Sequence, residues 1–534
     1  MITLEMMPPL MFGGLVLAML IGFPVAFTLA AVGLSFGFLA IHLGFFDLNF
    51  LQAIPGRVFG SVLSNELLLA IPFFTFMGSV LERCGLAEDM LDSMGQLFGP
   101  IRGGLGYSVI IVGFILGAIT GTVAAQVIAM ALISMPVMIR YGYNMRYITG
   151  VLAASGTITQ LVPPSLVLIV LADQLGKSVG DMYLGAWGPS VFQILLFVGY
   201  TFVLGIIKPN HVPPVPKEAR TLTGWALWKK CLMGIIPSAV LIFVVLGTMM
   251  MGLATPTEAG AMGAVGAIVL AAIHHKDFSS TGNKILIIGI ITAGIGTILA
   301  ILYTEANLYF KLAFAVTYFA VVWIGIEAVR IPELRDLIKQ GYETTMRITC
   351  MVTFILIGST CFSVVFLGVN GGVWLEHLLT SLPGGSWGFL IFINIFIFFT
   401  AFFLDFFEIA FIILPMIAPI AQKVLGPVVG DGPALIWFGV MLCVNMQTSF
   451  LHPPFGFALF YLRGVAPKEV KSSDIYWGAM PWIGLQAIMV LIVIAFPWTV
   501  TGLLDKPQNI DLNKVKIEVP QIDLPPLDFG PPKQ

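Results

Sequence analysis

Val162-Pro163-Pro164-Ser165 lies inside an uncharged stretch, residues 148–172, and 290 positions later His452-Pro453-Pro454-Phe455 lies inside another, residues 434–462. Each is followed by a polar connection and then by Asp-x-Tyr-x-Gly-Ala: Asp181, Tyr183, Gly185 and Ala186 in one copy, Asp474, Tyr476, Gly478 and Ala479 in the other. Two consecutive prolines remove two backbone N–H donors and clash with the preceding turn, so neither stretch runs as one continuous helix. Lipid tolerates broken backbone only where protein buries it or where it lines a polar cavity. A matched pair of broken helices in the two halves of a membrane chain is a pointer to a transporter's binding site.

The solvent around these breaks is lipid. Of 534 residues, 58% are hydrophobic and 10% charged, with a mean hydropathy of +0.98; soluble domains carry roughly 25% charged residues. Uncharged runs of the roughly 20 residues needed to cross hydrocarbon recur from Leu10 to Thr501. The fold class is therefore all-α, a polytopic membrane protein. A net charge of −2 argues against an acidic partner such as nucleic acid. Cys84, Cys231, Cys350, Cys361 and Cys443 are scattered without metal-ligand spacing, which argues against a disulfide framework. The N-terminus has no basic region or cleavage signature, so Leu10 onward reads as a retained span. Gly103-Gly104-x-Gly106 lacks the following Lys-Ser/Thr of a nucleotide loop.

Spans are expected near 8–23, 24–44, 66–83, 147–172, 186–207, 231–251, 257–274, 285–303, 308–328, 348–369, 434–462 and 479–503. Residues 104–139 hold no charge across 36 positions. That is about 54 Å of straight helix, well beyond a bilayer core of about 30 Å. With Gly117, Thr120 and Gly121 near its middle, the segment reads as a re-entrant hairpin with arms of about 15 residues. Residues 387–422 repeat the pattern, with arms meeting near 400–405. Arg83, Arg102, Arg140, Arg146, the cluster from Lys208 to Lys230, and Arg463, Lys468 and Lys471 then all fall on one side, which the positive-inside rule makes cytoplasmic. Both termini are expected outside, with the two hairpins opening to opposite faces.

Once an even pair of spans at 285–328 is set aside, the halves align, and five crossings per half make the second copy upside down. The expected layout is scaffold or arm helices of repeat one (1–83) and the first half of a transport domain (104–207, with hairpin 104–139 and broken helix 147–172). A cytoplasmic linker (208–230) follows, then the arms of repeat two (231–369, with the insert 285–328). The second transport half (387–503, with hairpin 387–422 and broken helix 434–462) and an extended periplasmic tail (505–534) complete it. Inverted repeats with two re-entrant hairpins and two broken helices are a transporter architecture.

At the first tip, Thr120, Gly121 and Thr122 serve either helix packing, where small residues are enriched, or a site. Two helix ends at mid-membrane offer carbonyls to Na⁺ and N–H groups to a carboxylate, joined here by the hydroxyl of Ser165. At the second tip, Asp405 and Glu408 are either solvated or functional, Asp405 supplying charge to a cation site or ordering the tip. Asn445, Gln447, Thr448 and Ser449 form a polar cluster before the second break. His452 is expected to donate one hydrogen bond to a loop carbonyl, with proton carriage as the alternative. The run 392–407, rich in phenylalanine, reads as lipid-facing surface.

At these residues the chain resembles the large membrane subunit of tripartite ATP-independent periplasmic (TRAP) transporters. The motifs are Gly22-Phe23-Pro24-Val25-Ala26, Gly252-Leu253-Ala254-Thr255-Pro256-Thr257-Glu258-Ala259, Phe403-Leu404-Asp405 with Pro415 and Pro419, and the two Pro-Pro breaks. The resemblance implies an elevator-type importer of organic-acid anions with Na⁺ as coupling ion and no organic cofactor, in the bacterial inner membrane. It implies two partners, a small four-span membrane subunit and a periplasmic substrate-binding protein. Carried over by position, Gly121, Thr122, Pro163, Pro164 and Ser165 form one Na⁺ region, and Asp405, Thr448, Pro453 and Pro454 the other. Thr120, Thr122, Ser165, Asn445, Gln447 and Ser449 are the candidates for substrate. The chain departs from the family where Thr122-Val123 stands for Ser-Ser and His452 for threonine. The pattern is similar to a branch associated with 2-oxo and 2-hydroxy monocarboxylates, with C4-dicarboxylates as the other substrate class. The competing reading is a self-sufficient Na⁺- or H⁺-coupled anion carrier without a binding protein. A membrane enzyme would need clustered His, Asp and Glu at one face, a pattern the sequence does not show.

Overall fold

The computed structural model describes residues 3–220, 224–275, 319, 321–323, 325–326, 328–402, 404–454 and 456–504. The proposed span 285–303, 14 of the 21 residues of 308–328 and the tail 505–534 lie outside the described residues. Among those described, all regular structure is helical, and nine helices are long and apolar enough to cross a membrane, or eleven if two bent pairs each count as one span.

Both hairpins are present. The first has arms Gly104–Thr120 and Val123–Arg140. Gly121 adopts φ +63° between them, a left-handed conformation that glycine enters without steric cost. Gln126 Nε2 donates to Gly113 O at 2.6 Å, although thirteen residues of straight helix would separate them by about 20 Å. At the base, Leu105 N donates to the Tyr143 hydroxyl at 3.3 Å. The second hairpin runs out along Gly385–Thr400 and returns through Phe406–Val429, and Ser386 Oγ closes its base on Val424 O at 3.0 Å. The arms of the first exceed the expected 15 residues because its turn takes only Gly121 and Thr122, while the return arm of the second runs seven residues past the expected window.

The broken helices match each other in form. Met145–Thr157 tightens into a 3-10 turn, Ile158–Gln160, breaks, and resumes as Leu166–Gln174. Asp431–Met446 tightens into Gln447–Phe450, breaks, and resumes as Phe457–Val465. The Pro163–Pro164 and Pro453–Pro454 bonds are both cis.

The Asp-x-Tyr-x-Gly-Ala motifs open the last long helix of each half, Val179–Ile207 and Ser472–Ala495. These begin seven residues before the expected spans because hydropathy discounts their polar first turns. Their glycines make reciprocal close crossings. A Cβ on Gly478 would lie 2.3 Å from Arg146 O and 2.4 Å from Thr149 Oγ1, and one on Gly150 would lie 2.2 Å from Gly478 O. The equivalent Gly185 meets Ile436 and Val500 at 3.0 Å and Val440 at 3.6 Å. Arg146 and Ile436, like Gly150 and Val440, stand 290 positions apart. Each half thus lays its last helix across the broken helix of the other, as a two-fold relation between the repeats requires.

Three elements differ from expectation. Leu86–Phe98 and Gly371–Thr380 are short helices ahead of the two hairpins, in segments that fall between the expected elements. Leu86, Met90, Leu91 and Met94 line the buried side of the first while Glu88 and Asp89 open its first turn, so the average hydropathy hides the amphipathic stripe. The expected span 348–369 belongs to a 37-residue helix, Pro332–Gly368, about 55 Å long. Its counterpart in the first half, Leu48–Arg83, bends by 50° between Leu63 and Glu66.

Candidate functional site

The first break is held by its own side chains and by the other repeat. Ser165 is fully buried; its hydroxyl donates to Gln160 O and accepts from Val167 N at 3.2 Å. Cys443 Sγ, from the second broken helix, donates to Gln160 O at 3.2 Å. Gln126 connects this break to the first hairpin: besides Gly113 O it donates to Ser155 O at 3.0 Å, and its amide oxygen accepts from Thr159. Thr122, half-buried and extended, precedes the return arm without capping it through its side chain. The side chain of Thr120 is outside the description.

At the second tip, Asp405 and Glu408 form a capping box. Glu408 N donates to Asp405 Oδ1 and Asp405 N to Glu408 Oε2, each at 3.0 Å, which satisfies two N–H groups at the start of the return arm. Of the roles open to Asp405 from sequence, these contacts are those of ordering the tip. Asn445 holds the second hairpin to its broken helix, Nδ2 donating to Asn394 O at 2.8 Å and Asn394 Oδ1 at 3.0 Å. Thr448 and Ser449 donate to Asn445 O and Met446 O, each at 2.6 Å. Their protons are committed to their own helix, so their oxygens face any ligand as acceptors. Pro163, Pro164, Pro453 and Pro454 lie in the breaks themselves.

Gln447 joins the repeats. Its Oε1 accepts from Gln193 Nε2 at 2.6 Å and from Gln486 Nε2 at 3.4 Å, and Gln486 Nε2 also donates to Thr157 Oγ1 at 2.9 Å. Gln193 and Gln486 stand 293 positions apart, like Asp181 and Asp474, and Thr157 and Gln447 stand 290 apart. Each repeat therefore sends an amide from its last helix to the 3-10 junction of the other. The sequence reading missed both glutamines, although their shared spacing with the Asp-x-Tyr motif was a usable signal.

His452 differs from expectation. Neither ring nitrogen has a hydrogen-bond partner and the residue is 2% exposed. The ring stacks on Phe402 (4.2 Å between centroids, 7° between planes) and meets Phe398 edge-on at 4.2 Å. No loop carbonyl comes within bonding geometry of either nitrogen, and the ring's contacts are instead with the two phenylalanines. The phenylalanine run is thus divided: Phe399 faces outward at 62% exposure, while Phe398 and Phe402 cover the histidine. Gln160 Nε2 and Oε1, Gln193 Oε1, Gln447 Nε2 and Gln486 Oε1 are also buried without partners. Each such atom costs about 1–3 kcal/mol, and these lie on the two broken helices and on the helices that cross them. Among the described residues no three His, Cys, Asp or Glu side chains gather as metal ligands; the oxygens at the breaks are hydroxyl, amide and backbone oxygens, the donor type that suits a hard monovalent cation.

The sequence matches the family described as tripartite ATP-independent periplasmic transporter, DctM component, over residues 12–302 and 276–499, which together take in both hairpins and both breaks. The chain belongs to that family. Within it, the chain is 25% identical to the C4-dicarboxylate TRAP transporter large permease protein DctM of Vibrio cholerae, over 91% of this chain and 94% of that one. It is 23% identical to the 2,3-diketo-L-gulonate TRAP transporter large permease protein YiaN of Escherichia coli, over 89% and 93%. It is also 23% identical to the isethionate TRAP transporter permease protein DctMQ of Oleidesulfovibrio alaskensis, over 92% of this chain and 65% of that protein. A DctM component is a multi-pass transport subunit rather than an enzyme, and its family is that of a three-part system.

Proposed function

We propose that this TRAP large permease imports a small organic-acid anion down a Na⁺ gradient in the bacterial inner membrane. The observation that carries the reading is the pair of breaks, the first buried throughout and the second flanked by buried His452 and Gly456. Each sets the carbonyl end of one half-helix against the N–H end of another, among unpartnered amides. Carbonyl ends suit Na⁺ and N–H ends suit a carboxylate. In this reading Gly121, Thr122, Pro163, Pro164 and Ser165 surround one ion, and Asp405, Thr448, Pro453 and Pro454 the other. Because Thr448 and Ser449 present oxygens rather than protons, they favour the cation. Ser165, whose proton goes to Gln160 O, likewise presents an oxygen; Thr120 and Thr122 are left to meet the anion, with Asn445 and Gln447 holding the walls in place.

The relatives' names carry C4-dicarboxylate, 2,3-diketo-L-gulonate and isethionate, all organic anions. They support a C4-dicarboxylate or a 2-oxo or 2-hydroxy monocarboxylate here. A periplasmic binding protein would deliver the anion and a small four-span subunit would flank the arms. The hairpins and broken helices would move together against arms 1–83 and 231–369 as an elevator, with both termini periplasmic. Proteoliposomes containing this chain and its small subunit test the reading. Labelled acids of both classes should accumulate only with an inward Na⁺ gradient and the binding protein. Uptake indifferent to Na⁺ would refute the coupling, and uptake without the binding protein would favour the self-sufficient carrier.

A further inference from the structure

Away from the breaks, a cavity of about 450 Å³ opens where the first broken helix begins. Its wall includes Arg146, Lys208, His211, Tyr200, Trp477 and the helix-capping Asn144, and none of its lining residues is acidic. Arg146 is 60% exposed and touches Asp474 only through Nε, at 3.4 Å. Lys208 and His211 have no ion pair among the described residues. The positive end of the 13-residue helix Met145–Thr157 adds to the field. Three basic side chains and a helix N-terminus around one opening select an anion with several acceptor oxygens, such as a phosphodiester.

The surroundings say what carries that phosphate. Val203, Ile206 and Ile207, the last turns of the helix that ends at Lys208, are 48%, 63% and 69% exposed, and Trp477 and Met480 are 62% and 47% exposed. A soluble phosphate has no use for this apolar flank, whereas acyl chains do. Tryptophan and tyrosine at the cavity edge are the side chains that settle at headgroup depth. Basic pockets between membrane helices on the cytoplasmic side are suited to anionic headgroups.

We propose that this cavity is a binding site for the headgroup of an anionic phospholipid, such as phosphatidylglycerol, with its chains lying along Val203, Ile206 and Met480. The site joins both repeats and the linker. Arg146 belongs to the first broken helix, Trp477 to the last helix of the second half, and His211 O accepts from Asn144 N at 2.9 Å. A bound lipid would therefore brace the base of the first hairpin against the linker.

The test is native mass spectrometry of the full chain, delipidated and then titrated with phosphatidylglycerol, phosphatidylcholine or inorganic phosphate. Phosphatidylglycerol should bind about 30-fold more tightly than phosphatidylcholine, as about 1 kcal/mol from each of Arg146 and Lys208 implies. Lys208→Gln/His211→Gln should erase most of that preference, and Arg146→Gln the rest; the first variant breaks no ion pair of the fold. Equal binding of the two lipids would overturn the proposal. So would undiminished phosphatidylglycerol binding by the folded Lys208→Gln/His211→Gln variant. Displacement of the lipid by millimolar phosphate would reassign the cavity to a soluble anion.

Discussion

Gly185 and Gly478 occupy the same place in the two repeats, yet alanine should affect them very differently. At Gly478 the new methyl would sit 2.3 Å from Arg146 O and 2.4 Å from Thr149 Oγ1, where carbon needs about 3.5 Å. A backbone oxygen cannot rotate away, so the two helices must separate by about 1 Å. That gap forfeits a quarter to a half of the dispersion at the crossing, which includes buried Ile475, Ala479 and Trp482. It also weakens the hydrogen bond from Thr149 Oγ1 to Asp474 O, now 3.0 Å. Overpacking of about 3 kcal/mol plus about 1 kcal/mol of hydrogen bond, less about 1 kcal/mol gained in helix propensity, leaves a net loss near 3 kcal/mol. At Gly185 the methyl meets the side-chain ends of Ile436 and Val500 at 3.0 Å. These shift by a few tenths of an ångström, and a cost of about 1 kcal/mol is matched by the propensity gain. Fluorescence-detected size exclusion after a heating series, in one detergent, reads both variants. Gly185→Ala should retain the wild-type midpoint and Gly478→Ala should lose several degrees. Equal midpoints, or greater damage from Gly185→Ala, would refute the crossing geometry.

Asp405→Asn keeps an equally good cap for the return arm, so expression and melting should hold while Na⁺-driven uptake is lost or uncoupled; normal coupled flux would remove its charge from the ion site. Gln193→Leu strands Gln447 Oε1 on the 3.4 Å contact with Gln486, a loss of about 1–3 kcal/mol that removal of the unpartnered Gln193 Oε1 offsets in part. The Gln193→Leu/Gln447→Leu pair should cost less than the sum of the single changes, and strict additivity in melting would argue against the repeat-joining role. His452→Phe preserves the stack on Phe402 and removes two nitrogens that have no partner. In ion-free detergent its midpoint should therefore equal or exceed wild type, and a clear fall would reveal a hydrogen bond on His452.

Much of the architecture was legible because its causes are local. A proline carries its missing N–H wherever it is placed, so Pro163-Pro164 and Pro453-Pro454 announce breaks whatever surrounds them. The turn of the first hairpin sits at Gly121 and that of the second ends at Asp405, within the windows that charge-free length and small residues indicated. Of the candidate site residues, Ser165, Asn445, Gln447, Thr448 and Ser449 are all buried at the breaks. Their partners were not legible, since Asn445 reaches Asn394 and Gln447 reaches Gln193, 254 positions away.

What the sequence by itself determined, then, is the solvent, the helical class, the doubled pattern and the places where helices stop, all properties of composition and of single residues. Tertiary structure alone decided that each half crosses the broken helix of the other, that Gln193 and Gln486 join the halves, and that phenylalanines rather than a carbonyl cover His452. The 50° bend after Leu63 and the unbroken helix Pro332–Gly368 belong with these. The physical reason is that such choices depend on which surfaces meet. A contact between residues nearly 300 positions apart is set by close packing and hydrogen-bond satisfaction in the assembled molecule, and no local preference encodes it.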